Sequence, residues 1–355
     1  MQQLNIILQG GGTKCAYQVS FLDKLNNDIN FNNNFKINKI YGTSFGALVG
    51  YFYCIERLDI LKKFFTLLDE NSLTPHFNLW GYAHYIKMIP IIGKIFGVII
   101  DIIWLLKSIT RKSLYDQTSG LNILFNETLD EIQKNNLSNY HCCVYNITRQ
   151  QIQYINGNHP LLLEYIQASA SLWIVFQPKL INQLKSECIC DENCVCYKTK
   201  HESPLDKCDC DIITHRFNEY MDGGLLKPIP YEKDPNYNGK YLVLTTKDLD
   251  RINNKKFIFH NSGNHIFEYL DNIITFLVEH HQHLDMHYIN KDWYKDDNIF
   301  LINYKPKIDN STILDKKIIQ EYINDGELLA YDFLNSKITS NAEGFCVSKT
   351  VSGTN

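Results

Sequence analysis

The chain has 355 residues, 45% of them hydrophobic, with a formal net charge of −4 and a pI of about 6.3. That is enough apolar material for a sizeable core. The mild acidity gives no electrostatic case for a nucleic-acid partner, and it leaves any membrane contact to apolar attraction. The opening Met1-Gln2-Gln3-Leu4-Asn5-Ile6-Ile7-Leu8 carries no basic n-region, and Asn5 interrupts its apolar run, so it reads as a strand and not as a signal peptide. A cytoplasmic protein whose 11 cysteines are mostly reduced or metal-bound is the expectation.

Leu4–Leu8 predicts a first strand, broken by Gly10-Gly11-Gly12. The spacing of Tyr17, Phe21, Leu22 and Leu25 then predicts a helix. Ile37–Tyr41 predicts a second strand, followed by Gly42-Thr43-Ser44-Phe45-Gly46 and an apolar helix from Ala47 to about Ile55. Two strand–turn–helix units in succession argue for an α/β sheet with helices on its faces. Residues 56–80 read as a helix and a loop. Around residues 86–107, Lys87, Lys94, Asp101 and Ser108 recur every seven residues and nearly everything between them is apolar. Pro90, Lys94 and Asp101 argue against a membrane span. A buried helix and a membrane-docking or lid helix compete there, the second slightly favoured.

Further on, His141–Tyr145 and Gln151–Ile155 predict strands and Leu161–Ser171 a helix. Tyr241–Thr245 reads as a fully apolar strand of the parallel kind. Ile266–Val278 predicts an amphipathic helix, Ile299–Tyr304 a late strand and Lys316–Leu334 a closing helix. One domain over 1–335 is expected, with a hydrophobic insertion at about 86–108 and a Cys-rich insertion at about 183–215. The Ser/Thr/Asn/Gly-rich tail 336–355 is expected to be disordered. The second insertion packs Cys188, Cys190, Cys194, Cys196, Cys208 and Cys210 into 23 residues. A structural zinc and a reduced flexible loop both fit that spacing, and no ligand is assigned. Catalysis is expected to need no cofactor.

The chemistry-bearing signal is G-x-S-x-G at Gly42–Gly46. A serine hydroxyl is a poor nucleophile and needs an exposed turn where a base can reach it; flanking glycines allow such a strand-to-helix elbow. The helix that follows directs its N-terminus at the site, which favours developing negative charge. Gly10-Gly11-Gly12 offers unobstructed N–H groups for an oxyanion. The competing dinucleotide-loop reading is weak, because Cys15 stands at the last glycine of G-x-G-x-x-G and residues 30–40 offer no ribose-binding acid. Asp222-Gly223-Gly224 supplies an acid on a turn. A Ser–Asp–His triad drawing on His260, His265, His280, His281, His283 or His287 is a weaker alternative, since Ser44 follows only the second strand.

In this order the motifs resemble the patatin-like phospholipase family: the glycine-rich segment Gly10–Cys15 with Lys14 in the basic place, the elbow Gly42–Gly46, and Asp222–Gly224. Softer likenesses are Ser113–Asp116, Ala168-Ser169-Ala170-Ser171 with Phe176-Gln177-Pro178, and Glu321–Leu334. Two departures are Cys15 for a glycine and Gln177 for a proline. The resemblance implies a three-layer α/β/α sandwich with a mainly parallel sheet. It also implies a serine lipid acyl hydrolase with Ser44 as nucleophile, Asp222 as base and Gly11 and Gly12 as oxyanion hole. A phospholipid or other acyl-lipid substrate, met at a membrane surface by a peripheral protein, follows from the same resemblance. A transacylase or a catalytically silent membrane-associated protein of the same fold is the alternative.

Overall fold

The computed structural model describes residues 1–68, 74–75, 113–116, 118–126, 128, 137–171, 174–187, 203–208, 210, 216–232, 234, 236–247, 280–282, 284–285, 299–306, 315–338 and 345–350. The first half holds β1 (Gln2–Leu8), α1 (Ala16–Asn26), α2 (Ile29–Asn34), β2 (Phe35–Thr43), α3 (Phe45–Cys54), α4 (Leu58–Leu67), β3 (Thr74–Pro75), β4 (Ser113–Asp116) and α5 (Thr118–Asn126). There follow β5 (Tyr140–Asn146), β6 (Gln151–Asn156), α6 (Leu162–Ser169), β7 (Ile174–Phe176), β8 (Lys179–Asn182), β9 (Phe217–Asp222), β10 (Lys240–Thr245), β11 (Ile299–Lys305), α7 (Lys316–Ile338) and β12 (Phe345–Thr350). The predicted strands and helices in the described stretches appear with shifted ends, as the fraying of element termini leads one to expect. The predicted helices at 86–107 and at Ile266–Val278 lie outside the described residues.

A mixed, mostly parallel sheet of nine strands organises the α/β fold, in the order β12-β11-β10-β1-β2-β5-β9-β8 with β6 also on β5. From β12 to β5 every pairing is parallel; β6, β9 and β8 run antiparallel to their neighbours. A small second sheet joins β3, β4 and β7.

Side chains alternate between the two faces. Leu4, Ile6 and Leu8 of β1 join Leu242, Leu244, Phe300 and Ile302 beneath α1, α3, α4, α6 and α7 in the main core. Ile7, Tyr41, Tyr241, Val243, Ile299 and Leu301 point the other way, into a smaller cluster with Ile229. Burial on both faces explains why β1, β10 and β11 read as near-continuous apolar runs.

Asn5, the break in the first run, sits where the β1–β2 register shifts by a residue. Its Oδ1 accepts from Asn38 Nδ2 at 2.9 Å and from the Lys39 N–H at 3.1 Å, serving the irregular backbone there. The closing helix α7 lies along α1: Ser20 Oγ donates to the Ile323 carbonyl at 2.6 Å.

Within the polar tail, Phe345–Thr350 forms the parallel edge strand β12 on β11, with Val347 opposite Ile302. The polar average of the tail concealed a local period of two, Phe345 and Val347 alternating with Cys346 and Ser348, which suits a strand.

Candidate active site

Three strand ends converge at the C-terminal end of the parallel strands. β1 lies between β10 and β2, so the chain leaves it in opposite directions on the two sides; ligand sites in such sheets open beyond the strand C-termini at that switch. Gly10–Gly12 follow β1, Ser44 follows β2 and Thr246 follows β10.

Ser44 occupies the elbow with φ 54° and ψ −135°. A serine held there carries about 1–3 kcal/mol of backbone strain and persists only where its surroundings enforce it. The enforcing contacts are close. A Cβ on Gly46 would stand 2.6 Å from the Leu8 carbonyl oxygen, so only glycine lets α3 start directly against β1. The Ala47 N–H donates to the Ser44 carbonyl at 2.9 Å, and Gly42 lies against the same first turn.

Asp222 reaches Ser44 because of strand direction. β6 covers one edge of β5. Along the other edge β2 runs parallel and ends with Thr43 opposite Cys143, while β9 runs antiparallel and ends with Asp222 opposite Val144. The two strands therefore meet with their C-terminal ends at adjacent positions of β5. Asp222 is 3% exposed. Its carboxylate accepts from the Gly224 N–H at 2.7 Å and, at a long 3.5 Å, from the Thr43 hydroxyl, and the Ser44 hydroxyl lies near enough to favour its ionised form. Burial raises its pKa from 3.8 to about 6, against the opposing pull of Ser44, Gly224 and Thr43. Gly223 packs against the Cys143 backbone and thiol.

The glycine-rich turn is pinned from the β10 side. Thr246 Oγ1 donates to the Gly10 carbonyl, and the Thr246 N–H donates to Gln9 Oε1 at 2.9 Å. Gly10 is so near Ser44 that a Cβ there would stand 2.5 Å from Ser44 Cβ. Gly12 adopts φ 56°, a left-handed conformation suited to glycine. Among the described residues, neither the Gly11 nor the Gly12 N–H has a backbone acceptor. Lys14 is buried one turn on, in the 3-10 turn Gly12–Cys15 that leads into α1. Cys15, the departure from the family pattern, leaves that turn intact. It is a buried core thiol, 3.6 Å from the Gln9 carbonyl, with its pKa pushed well up by desolvation.

Sequence reasoning singled out Ser44, Asp222 and the glycines, and the structure brings them together. It did not find Thr43 or Thr246, whose contacts depend on how separate strands align. His280 and His281 are the histidines of the late cluster that fall among the described residues, and neither is a partner of Asp222; His281 faces His280 and Asp285. Cys208 and Cys210 are buried, the other cysteines of the Cys-rich segment lie outside the described residues, and among those described no three metal-ligand side chains come together.

A family model for patatin-like phospholipases matches residues 6–233, well over half of the chain. The chain belongs to the patatin-like phospholipase family. The match takes in the glycine-rich turn, the elbow and Asp222-Gly223-Gly224, and it implies a lipid substrate. No curated protein is similar enough in sequence to count as a match. Among solved structures the chain is similar to the crystal structure of VipD from Legionella pneumophila, at 11% identity and a TM-score of 0.41, over 94% of this chain and 67% of that one. That likeness is too distant for any residue role to be carried across. Among the described residues, no helix of this patatin-like chain is long and apolar enough to cross a membrane.

Proposed function

We propose that the chain is a phospholipase A-like lipid acyl hydrolase working through a Ser44–Asp222 dyad. Ser44 Oγ attacks the ester carbonyl while its proton passes to Asp222. The N–H groups of Gly11 and Gly12 and the N-terminus of α3 receive the oxyanion. The tetrahedral intermediate collapses to an acyl-Ser44, and Asp222 returns the proton to the departing alcohol. Asp222 then takes a proton from a water that attacks the acyl group. The fatty acid leaves and free Ser44 is restored. This sequence uses no cofactor.

The observation that carries the reading is the alignment of the Ser44 elbow with a buried carboxylate at adjacent positions of β5, the carboxylate's pKa being raised to about 6. A free aspartate, at about 4, is a poor base; one tuned to about 6 is still mostly ionised at pH 7 yet accepts a proton more readily. The proposed substrate is a phospholipid or related acyl ester, met at a membrane surface by apolar contact.

The test incubates the protein with phosphatidylcholine vesicles and measures released fatty acid. Release by the wild type and none by Ser44→Ala supports the reading. Equal release by both, or none by either, contradicts it.

A further inference from the structure

One short segment touches both members of the dyad. Helix α6 ends at Ser169, within Ala168-Ser169-Ala170-Ser171, and Ser169 is fully buried. Its Oγ accepts from the Ser44 backbone N–H at 2.9 Å and donates to the Cys143 carbonyl at 2.7 Å. Two residues on, the Ser171 carbonyl accepts from the Asp222 N–H at 3.0 Å, and the Ser171 hydroxyl is tied back to the Gln167 carbonyl at 2.7 Å.

A hydroxyl has one proton and two lone pairs. Because the Ser169 proton goes to Cys143, what it presents to Ser44 is a lone pair, and the direction of the bond is fixed. Cys143 is the residue of β5 that faces Thr43 at the end of β2. Ser169 thus joins the elbow to the strand along which both dyad strands are aligned, and Ser171 holds the opposing strand end.

We propose that Ser169 is a positioning residue: by holding the Ser44 N–H it keeps the nucleophile in its strained conformation and, through the Ser169–Ser171 turn, fixes its distance to Asp222. This rests on the hydrolase reading above. Two consequences follow. The Ser44 N–H is spent on Ser169 and is not an oxyanion donor, so that role falls to the Gly11 and Gly12 amides. Displacement of α6 moves both dyad members, because the same turn holds each of them.

The test compares wild type, Ser169→Ala, Ser169→Thr, Ser169→Cys and Ser20→Ala, with folding checked by thermal unfolding. Ser20→Ala is the control, losing a buried hydroxyl bond between α1 and α7. Two readouts are taken: hydrogen exchange at the Ser44 amide, which needs no activity, and the rate of fluorophosphonate labelling against pH. Ser169→Ala is expected to lose protection at Ser44 and to label about 10–100-fold more slowly, the usual effect of a nucleophile displaced by an ångström or so. Its pH midpoint is expected to rise, because Asp222 loses the nearby Ser44 hydroxyl that holds its pKa down. Ser169→Thr keeps the hydroxyl and is expected to recover much of the rate, while Ser20→Ala labels as the wild type does.

A folded Ser169→Ala with wild-type labelling rate and midpoint would overturn the proposal. If the alanine variant does not fold, Ser169→Cys keeps the volume with a weaker hydrogen-bonding group, and an unchanged rate there overturns it equally. A wild type that does not label counts against the hydrolase reading instead. In that event unchanged Ser44 exchange in Ser169→Ala or Ser169→Cys overturns the positioning bond, and faster exchange upholds it.

Discussion

Thr43, the residue before Ser44, and Asp222 end strands that run towards each other along one edge of β5, at the neighbouring positions Cys143 and Val144. The nucleophile and its carboxylate partner are thereby placed by main-chain pairing, the most rigid device a sheet offers. Side-chain length then needs to bridge only the last gap.

Protonation of Asp222 should govern activity. With its pKa at about 6, the acylation rate is expected to rise with pH through a single ionisation near 6 and to be flat above about 7. Stopped-time fluorophosphonate labelling from pH 4.5 to 8.5 measures this. A midpoint near 4 would mean that the carboxylate is solvated.

The same shift has a stability consequence of opposite sign. Because burial raises the folded-state pKa above the ordinary 3.8, Asp222 disfavours folding once it must ionise. Stability is full below pH 3.8 and is lost as the pH rises to about 6. A shift from 3.8 to about 6 corresponds to about 3 kcal/mol at most. Asp222→Asn should therefore unfold a few degrees higher than wild type at pH 8 and level with it near pH 3.5 in thermal melts. The same substitution should slow acylation by roughly 10²–10⁴-fold.

Strain at the elbow is measurable by substitution. Ser44→Gly relaxes φ 54°, whereas Ser44→Ala keeps the strain and loses the hydroxyl. The glycine variant is expected to exceed the alanine variant in stability by about 1 kcal/mol or more in urea unfolding.

Gly46→Ala should do the reverse. Its Cβ would meet main-chain oxygens of Leu8 and Gln9 at 2.6 and 2.8 Å, and neither can move without disturbing β1. A loss of about 1–3 kcal/mol, with labelling falling alongside it, is the expected result.

Much of this site was legible in the sequence, because its parts are local. An elbow needs glycines at fixed offsets from Ser44, and a turn that exposes amides needs Gly10-Gly11-Gly12. What joins the parts was not legible. Nothing in Asp222-Gly223-Gly224 says that β9 runs antiparallel to β5, and the two hydrogen bonds of Ser169 arise from the packing of α6 and not from spacing along the chain. Helix α2 shows a different concealment. Its Asn-rich sequence carries no helical run of apolar residues, yet Asp28 caps it by accepting from the Phe31 N–H at 2.7 Å, and Phe31 is its buried apolar anchor. In the tail, composition averaged over 336–355 hid the alternation that lets Phe345–Thr350 pair with β11.

The most direct test of the central claim is the mapped adduct of a fluorophosphonate probe, read by mass spectrometry on wild type, Ser44→Ala and Asp222→Asn. An activated serine with a carboxylate base predicts a single adduct on Ser44, absent from Ser44→Ala and strongly slowed in Asp222→Asn. An adduct on another residue, or labelling of Ser44 that is indifferent to the loss of the Asp222 carboxylate, would contradict it.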